Sequence, residues 1–334
     1  MKEFIIQKNE DKQRLDKYLK KLLPNASSGF LYKMLRKKNI TCNGKKADGS
    51  EILAIGDSVK LFLSDETFDK FHADLNALSR EYDMLKALPM KGITVLYEDE
   101  DILAVSKPAG MLSQKADGQM LSANEYLLGY LIRERALTKE AFTTFRPSVC
   151  NRLDRNTTGL LLMGKTLAGL QKLSEMLRDR TAQKYYYAIV AGNVNKEEHL
   201  SGYLAKDHAA NRVEVSNHPS EDKAKIETAY RPVAHAPGCT LLEVHLITGK
   251  THQIRAHLAS IGHPIIGDPK YGDETVNRSF RQDYGVRYQL LHAGRVELSD
   301  GKVFTAPLPK IFKRIIGDVS YGNLEFQGSS RVHA

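Results

Sequence analysis

The sequence has no tryptophan and only three cysteines, and these shortages narrow the classes of protein to which it can belong. Cys42, Cys150 and Cys239 lie far apart, so they fit neither a disulfide framework nor the Cys-x-x-Cys spacing of a metal site. No uncharged apolar run approaches the roughly 18 residues of a membrane helix. The opening MKEFIIQKNEDK is too short and too acidic for a signal peptide. We therefore expect a cytoplasmic protein with reduced thiols and no membrane partner.

Excess positive charge is confined to one short block of the chain. The net charge is +9, and nine basic residues with no acidic residue lie between Lys17 and Lys46. The rest of the chain has 40 basic and 40 acidic residues. A solvated helical face is one explanation of such a block. Because the block contains no acid at all, it favours a polyanionic partner, and among these a nucleic acid.

The same block has the pattern of a small folded unit. Apolar residues from Leu15 to Leu22 recur at helical spacing before Pro24, and a second helix is predicted after the polar stretch 25–28. Asn43-Gly44 predicts a hairpin, followed by an alternating strand in IGDSVKLFL, residues 55–63. The unit resembles the alpha-L RNA-binding domain first seen in a ribosomal small-subunit protein. The resemblance implies that residues 1–64 bind RNA, through cations that include Lys17, Lys33, Arg36, Lys37, Lys38 and Lys45.

The remainder divides into three parts. Residues 65–90 are charged and predict a linker with helical content, and residues 91–310 predict a second domain that opens with a strand-turn-strand around EDED. Residues 311–334 predict a flexible tail ending in GNLEFQGSSRVHA. Strands and helices are mixed without strict alternation, which favours the α+β class over a doubly wound sheet.

The stretch NRLDRNTTGLLLMGKT, from Asn151 to Thr166, allows two interpretations. From Gly159 it matches the P-loop pattern, with Lys165 as the phosphate-binding lysine. A P-loop follows a buried strand and wraps phosphates with an exposed loop. Here the polar CNRLDRNTT precedes Gly159, and Leu160 to Met163 are all apolar. The pattern predicts a buried strand at Leu160 to Met163, and we expect no nucleotide cofactor.

The second interpretation is a catalytic aspartate. Asp154 lies between Arg152 and Arg155, immediately before a polar turn and the predicted strand. A carboxylate presented at the edge of a strand is well placed to act as a nucleophile. Taken alone, an Arg-Leu-Asp triplet is more often an ordinary surface turn, so this motif needs support from elsewhere in the chain.

Three motifs together supply that support. NRLDRNTTG, KYYYA from Lys184, and TGKTHQIRAH from Thr248 resemble the His-Arg-Leu-Asp-x-x-Thr-Ser-Gly, Lys-x-Tyr-x-Ala and Thr-Gly-Arg-Thr-His-Gln-Ile-Arg-x-His motifs of a large pseudouridine synthase family. The resemblance covers roughly residues 93–309. It implies a mixed, largely antiparallel sheet core with flanking helices, and uridine isomerisation without metal or cofactor. Asn151, Thr158 and Lys250 depart from the usual His, Ser and Arg.

The resemblance also implies roles for individual residues. Asp154 would be the essential carboxylate, acting as nucleophile or as base, with Arg255 as its ion-pair partner. Tyr186 would stack on the target base, and Ile254 would form the apolar floor of the pocket. The remaining substrate-binding residues are Arg152, which would fill the gap left by the flipped uridine, and Lys184.

The expected substrate is large-subunit ribosomal RNA, because this pairing of domains is typical of enzymes that act on it. Transfer RNA is an alternative substrate, and a non-catalytic RNA-binding factor that retains the fold is an alternative function, suggested by Asn151. His252, His257 and His263 match no standard zinc spacing, so no metal is expected. We expect a monomer.

Overall fold

The computed structural model describes residues 1–7, 10–72, 75–115, 121–207, 212–220 and 223–317. The sequence GNLEFQGSSRVHA, predicted to be a flexible tail, lies outside these residues. The chain forms two compact units. The first comprises Met1–Lys107, Met111–Arg152 and Leu161–Asp179, and the second comprises Pro108–Gly110, Leu153–Leu160 and Arg180–Ala334. The segment that carries Asp154 therefore belongs to the second unit.

The first unit begins with a small module of two helices and a four-stranded antiparallel sheet of order β1-β4-β2-β3. Its elements are β1 (Lys2–Ile5), α1 (Leu15–Leu22), α2 (Ser28–Arg36), β2 (Ile40–Cys42), β3 (Lys45–Lys46) and β4 (Ser58–Leu61). The predicted hairpin is confirmed: Asn43 and Gly44 have φ of 51° and 72°, the positive values that a tight turn between twisted strands requires. The sequence did not predict β1.

Burial explains why this module folds with its cations outside. The helix α1 buries Leu15, Tyr18, Leu19 and Leu22 on one face, as the helical spacing predicts. Ser27 is the N-cap of α2, and its side-chain oxygen accepts a hydrogen bond from the backbone N–H of Phe30 at 3.2 Å. The basic residues of both helices take the positions that remain, so they face solvent.

The rest of the first unit contains α3 (Asp65–Phe71), α4 (Leu75–Lys86), β5 (Thr94–Glu98), β6 (Ile102–Lys107), α5 (Ala123–Arg133), α6 (Lys139–Thr144), β7 (Ser148–Val149), β8 (Thr158–Gly164) from its residue Leu161 onward, and α7 (Leu167–Arg178). The strands β5 and β6 are antiparallel around the EDED turn, as predicted. The strand β8 neighbours β6 and pairs antiparallel with β7. Helices α3 and α4 occupy the stretch predicted as a partly helical linker.

The P-loop interpretation fails on the structure of β8. Leu160 to Met163 are fully buried in this strand, which confirms the predicted buried strand and leaves no loop to wrap phosphate. The Nζ of Lys165 donates to Oε1 of Glu98 and to the carbonyl oxygen of Asp99, both at 2.6 Å. Lys165 is therefore a structural cation that joins the end of β8 to the β5–β6 turn.

Asn151, which stands where the family has histidine, also supports β8. Its Oδ1 accepts a hydrogen bond from the backbone N–H of Leu162 at 2.8 Å. The backbone N–H of Cys150 donates to the carbonyl oxygen of the same Leu162 at 2.7 Å. The asparagine thus ties the end of the motif's polar segment to the strand.

The second unit is a sheet with helices. Its elements are β9 (Gln183–Ala191), β10 (Glu198–Asp207), β11 (Arg212–Ser216), β12 (Ala224–Ala236), β13 (Cys239–Leu246), α8 (Gln253–Ser260), α9 (Glu274–Tyr284), β14 (Leu291–Glu297), β15 (Val303–Thr305) and α10 (Lys310–Ile316). The strand order is β11-β10-β12-β13-β9-β14, all antiparallel, with β15 on β14. The start of β8 pairs with β14 in parallel, so the sheet is mixed and largely antiparallel, as expected.

The chain is still ordered where the sequence predicts the start of a tail. Residues 311–316 are helical within α10, which buries Phe312, Ile315 and Ile316. The tail prediction missed this helix because its apolar face spans only seven residues, too few for a periodic pattern to stand out.

One glycine fixes how β8 meets β14. Gly159 has φ of +107°, and a β-carbon there would overlap the backbone of Ala293. Beside it, Thr158 Oγ1 lies 2.8 Å from Nδ1 of the buried His292, so the threonine that replaces the family's serine uses its hydroxyl to join the two strands. The turn that carries Asp154 is therefore anchored at its C-terminal end.

Candidate active site

An arginine between two aspartates forms the centre of the site. Arg255 donates from Nε and Nη2 to the two carboxylate oxygens of Asp268, at 2.6 and 2.8 Å. It donates from Nη1 to Oδ2 of Asp154 at 2.7 Å. The side chains of Arg255 and Asp268 are 5% and 0% exposed, whereas that of Asp154 is 26% exposed. Asp268 thus fixes the guanidinium, and the guanidinium holds Asp154, the more exposed of its two carboxylate partners.

Asp268 is held by a loop of the second unit. Its Oδ1 also accepts from the backbone N–H groups of Lys270 and Tyr271, at 2.8 and 3.1 Å. Gly267, immediately before it, has φ of +80°, and a β-carbon there would overlap the carbonyl oxygen of Tyr288. The carboxylate of Asp268 therefore accepts four hydrogen bonds, two from Arg255 and two from the backbone of its own loop.

The third motif positions Arg255 through a buried glutamine. Oε1 of Gln253 accepts from Thr248 Oγ1 at 2.8 Å and from the backbone N–H of Lys250 at 3.1 Å. Its Nε2 donates to the carbonyl oxygen of Glu227 at 2.9 Å and to Thr228 Oγ1 at 3.0 Å. All four bonds that an amide side chain commonly makes are used. Gln253 thereby pins the first turn of α8, and with it Arg255, to β12.

Arg255 and Asp268 are both charged at neutral pH. Burial acts to raise the pKa of Asp268, but hydrogen bonds and charge from Arg255, with the backbone N–H groups of residues 270 and 271, lower it overall. Burial acts to lower the pKa of Arg255, and the two carboxylates more than offset this, so its pKa is raised. The ion pair between Arg255 and Asp268 therefore persists wherever Asp268 is ionised.

Tyr186 lies in β9, close enough to Asp154 for the charge of that carboxylate to affect the pKa of its phenol. Burial raises its pKa, and the negative charge of Asp154 raises it further, so the phenol keeps its proton. Tyr185 and Tyr187 face the other way, as strand alternation predicts: Tyr185 stacks on His245, and the Tyr187 hydroxyl lies 3.5 Å from Glu243.

His252 belongs to the site, although the sequence gave it no role there. Its Nε2 lies 3.9 Å from Oδ2 of Asp154, and its Nδ1 lies 3.1 Å from the hydroxyl of Tyr271. Burial lowers the pKa of His252, and this exceeds the opposing effect of Asp154, so the imidazole is neutral at pH 7. Arg255 also lies over the ring of Tyr271, 5.2 Å from its centroid. Asp268 and Tyr271 occur in GHPIIGDPKYG, which lies outside the three motifs, so no role was predicted for them.

The other predicted site residues occupy different environments. Ile254 is buried in α8 beside Arg255, and Lys184 is half-buried in β9, two residues from Tyr186. Arg152 is exposed and belongs to the first unit. Among the described residues, no group of three or more His, Cys, Asp or Glu side chains could hold a metal ion.

The arrangement offers one accessible carboxylate in a fixed orientation beside two neutral rings, those of Tyr186 and His252. Such a carboxylate can attack an electrophilic carbon or accept a proton. Because Arg255 is already committed to the pair of aspartates, its position need not change when a substrate arrives.

The substitution Asp268→Asn tests the ion pair between Arg255 and Asp268. Removing one partner of a buried ion pair should lower the free energy of unfolding at pH 7 by about 3 kcal/mol. The pKa of Asp268 is below its ordinary value of 3.8, so its stabilisation is present above that value and is lost as pH falls through the lowered pKa. The difference between the two proteins, measured by urea unfolding, should therefore shrink in acid. Asp273→Asn is the control, because asparagine keeps the helix cap that Asp273 provides for Val276. A pH-independent difference would contradict the assignment.

Comparison with known proteins identifies the family. Residues 101–260 match the family described as RNA pseudouridylate synthase, and residues 13–59 match the S4 domain. Ribosomal large subunit pseudouridine synthase C of Escherichia coli is 31% identical over 92% of this chain and 93% of that protein. Synthase D of Nitrosomonas europaea is 30% identical over 89% of this chain and 81% of that protein.

Solved structures agree on the fold. The human RNA pseudouridylate synthase domain containing 4 has a TM-score of 0.54 and 21% identity, over 70% of this chain and 94% of that one. The human domain containing 1 has a TM-score of 0.53 and 20% identity, over 65% and 84%. No helix in the described part of this chain is long and apolar enough to span a membrane. From its sequence relatives, this chain belongs to the RNA pseudouridylate synthase family.

Proposed function

We propose that this protein converts uridines of large-subunit ribosomal RNA to pseudouridine, with Asp154 as the essential carboxylate. The observation that carries the proposal is the reachable carboxylate of Asp154, held at 2.7 Å by Arg255. The substrate class is supported by relatives named as ribosomal large subunit pseudouridine synthases, which match most of this chain.

The reaction is an isomerisation. The bond between N1 of uracil and C1′ of ribose breaks, the base turns, and a bond between C5 and C1′ forms as C5 loses its proton and N1 gains one. No electrons are gained or lost overall, so the reaction needs no oxidant or reductant. Asp154 would act on the ribose either as nucleophile or as base, and both routes need an ionised carboxylate in a fixed orientation.

The remaining site residues would hold the flipped uridine. Flipping costs a few kcal/mol, because the target atoms are inaccessible in a stack. Stacking on Tyr186 and contact with the apolar side chain of Ile254 would offset this cost. The exposed Arg152 would fill the gap that the uridine leaves in the RNA.

The substitution Asp154→Asn should abolish turnover, because the amide is neither a nucleophile nor a base. The measurement is tritium release from RNA labelled at C5 of uracil. We expect release by the wild type from large-subunit ribosomal RNA, and at least about 10³-fold slower release by the variant.

Parallel assays use small-subunit ribosomal RNA and transfer RNA. Release from transfer RNA alone would move the substrate class to transfer RNA. Binding without release from any RNA would favour the non-catalytic RNA-binding factor, and release by Asp154→Asn at the wild-type rate would refute the role of Asp154.

We further propose that residues 1–64 are the RNA-binding module, 65–90 the linker and 91–310 the catalytic domain of a cytoplasmic monomer. The cations assigned to RNA are all exposed; they are Lys17, Lys33, Arg36, Lys37, Lys38 and Lys45. Within the described ranges, none of these six lies within 4 Å of a carboxylate. Their charge is therefore available to phosphates.

The double substitution Lys33→Gln with Arg36→Gln tests this module. Both residues lie on α2. Affinity falls as salt rises, and the loss of two phosphate contacts should make the slope of log affinity against log salt less steep by about 1.5. The measurement is a fluorescence titration of ribosomal RNA fragments at several salt concentrations. Arg278→Gln with Arg281→Gln is the control, since these are two exposed arginines at the same spacing on α9. Equal changes in both double variants would contradict an RNA-binding role for α2.

A further inference from the structure

Lys184 differs from Lys107 and Lys165, two other shielded lysines of this chain. Lys107 is fully buried and donates to the carbonyl oxygen of Met111 at 2.8 Å, and Lys165 pairs with Glu98 at 2.6 Å. Lys184 is half-buried, yet among the residues that the structure describes its ammonium has neither a carboxylate within 4 Å nor a hydrogen-bond acceptor. A shielded cation without a partner loses hydration and gains nothing in return.

The surroundings of Lys184 add positive charge. Its Nζ lies 3.4 Å from the position that a β-carbon on Gly249 would take, so it lies against the backbone that leads into the third motif. The exposed Lys250 follows Gly249 directly. Burial lowers the pKa of Lys184, and the positive charge of Arg180 lowers it further. The charge of Arg180 therefore acts on Lys184 where β9 approaches the loop before α8, and Lys250 lies in that loop.

The position of Lys184 relates this cationic group to the site. Lys184 and Tyr186 are two apart in β9, so their side chains leave the same face of the strand, about 7 Å apart along it. A nucleotide whose base stacks on Tyr186 has a phosphate on each side of its ribose. One of these phosphates is within reach of a lysine at that spacing.

We propose that Lys184, flanked by Arg180 and Lys250, binds a backbone phosphate of the RNA beside the target uridine. The proposal rests on the proposed function, because it takes the target base to lie on Tyr186. The phosphate would supply the anionic partner that the folded protein lacks. In the free protein the unpaired ammonium would be destabilising, and binding of the phosphate would remove this destabilisation.

The substitution Lys184→Met tests this, because methionine keeps the apolar stem and removes the charge. Affinity for the RNA should fall about tenfold at 0.1 M salt, as for loss of a charged hydrogen bond. The slope of log affinity against log salt should become less steep by about one. The value of kcat/KM should also fall, and most of this fall should come from an increase in KM. The midpoint of urea unfolding should stay the same or rise, whereas loss of a merely structural contact would lower it.

Two further variants separate charge from position. Lys184→Arg keeps a cation and should keep the salt slope of the wild type. Lys196→Met removes an exposed lysine of the same unit and should change neither affinity nor slope. An unchanged slope in Lys184→Met, or an equal change in Lys196→Met, would overturn the proposal.

Failure of this inference can be told apart from failure of the proposed function. If the wild type releases tritium while Lys184→Met binds RNA with the wild-type salt slope, only the phosphate site is wrong. If the wild type releases no tritium from any RNA, the proposed function is wrong, and the titrations alone decide whether Lys184 contacts phosphate.

Discussion

The structure of the site depends on a single guanidinium shared by two carboxylates. Arg255 donates two hydrogen bonds to the fully buried Asp268 and one to Asp154. Because Asp268 has two further backbone donors and no exposure, the more reactive carboxylate is Asp154. Burying such charges is costly, and only complete hydrogen bonding makes it tolerable.

The surrounding backbone is built to keep this arrangement. Gly159 lets the start of β8 approach β14 closely enough to fix the turn after Asp154, and Gly267 does the same for the loop of Asp268. Gln253 uses its whole amide to fix the first turn of α8. Three segments far apart in sequence are thus each tied down separately, which gives a rigid carboxylate before any RNA binds.

Local patterns in the sequence predicted much of this, and long-range pairing explains what they missed. The apolar run at Leu160 to Met163 predicted β8, because burial on both faces leaves a continuous apolar signature. The pairing of Asp154 with Arg255, 101 residues apart, followed from motif resemblance rather than from any local pattern. Asp268 lies outside the three motifs, and nothing in the sequence of a short loop shows which cation its carboxylate will contact. The strand β1 escaped prediction because four residues acquire strand character only by pairing with β4.

The most direct test of this account is single-turnover tritium release by Arg255→Lys, with enzyme in excess over labelled RNA. Lysine keeps the charge but cannot bind Asp268 through two nitrogens and Asp154 through a third. The account predicts RNA affinity within about twofold of the wild type and release slowed by about 10²-fold, the cost of a misplaced catalytic group. Release at the wild-type rate would contradict the claim that the shared guanidinium orients Asp154.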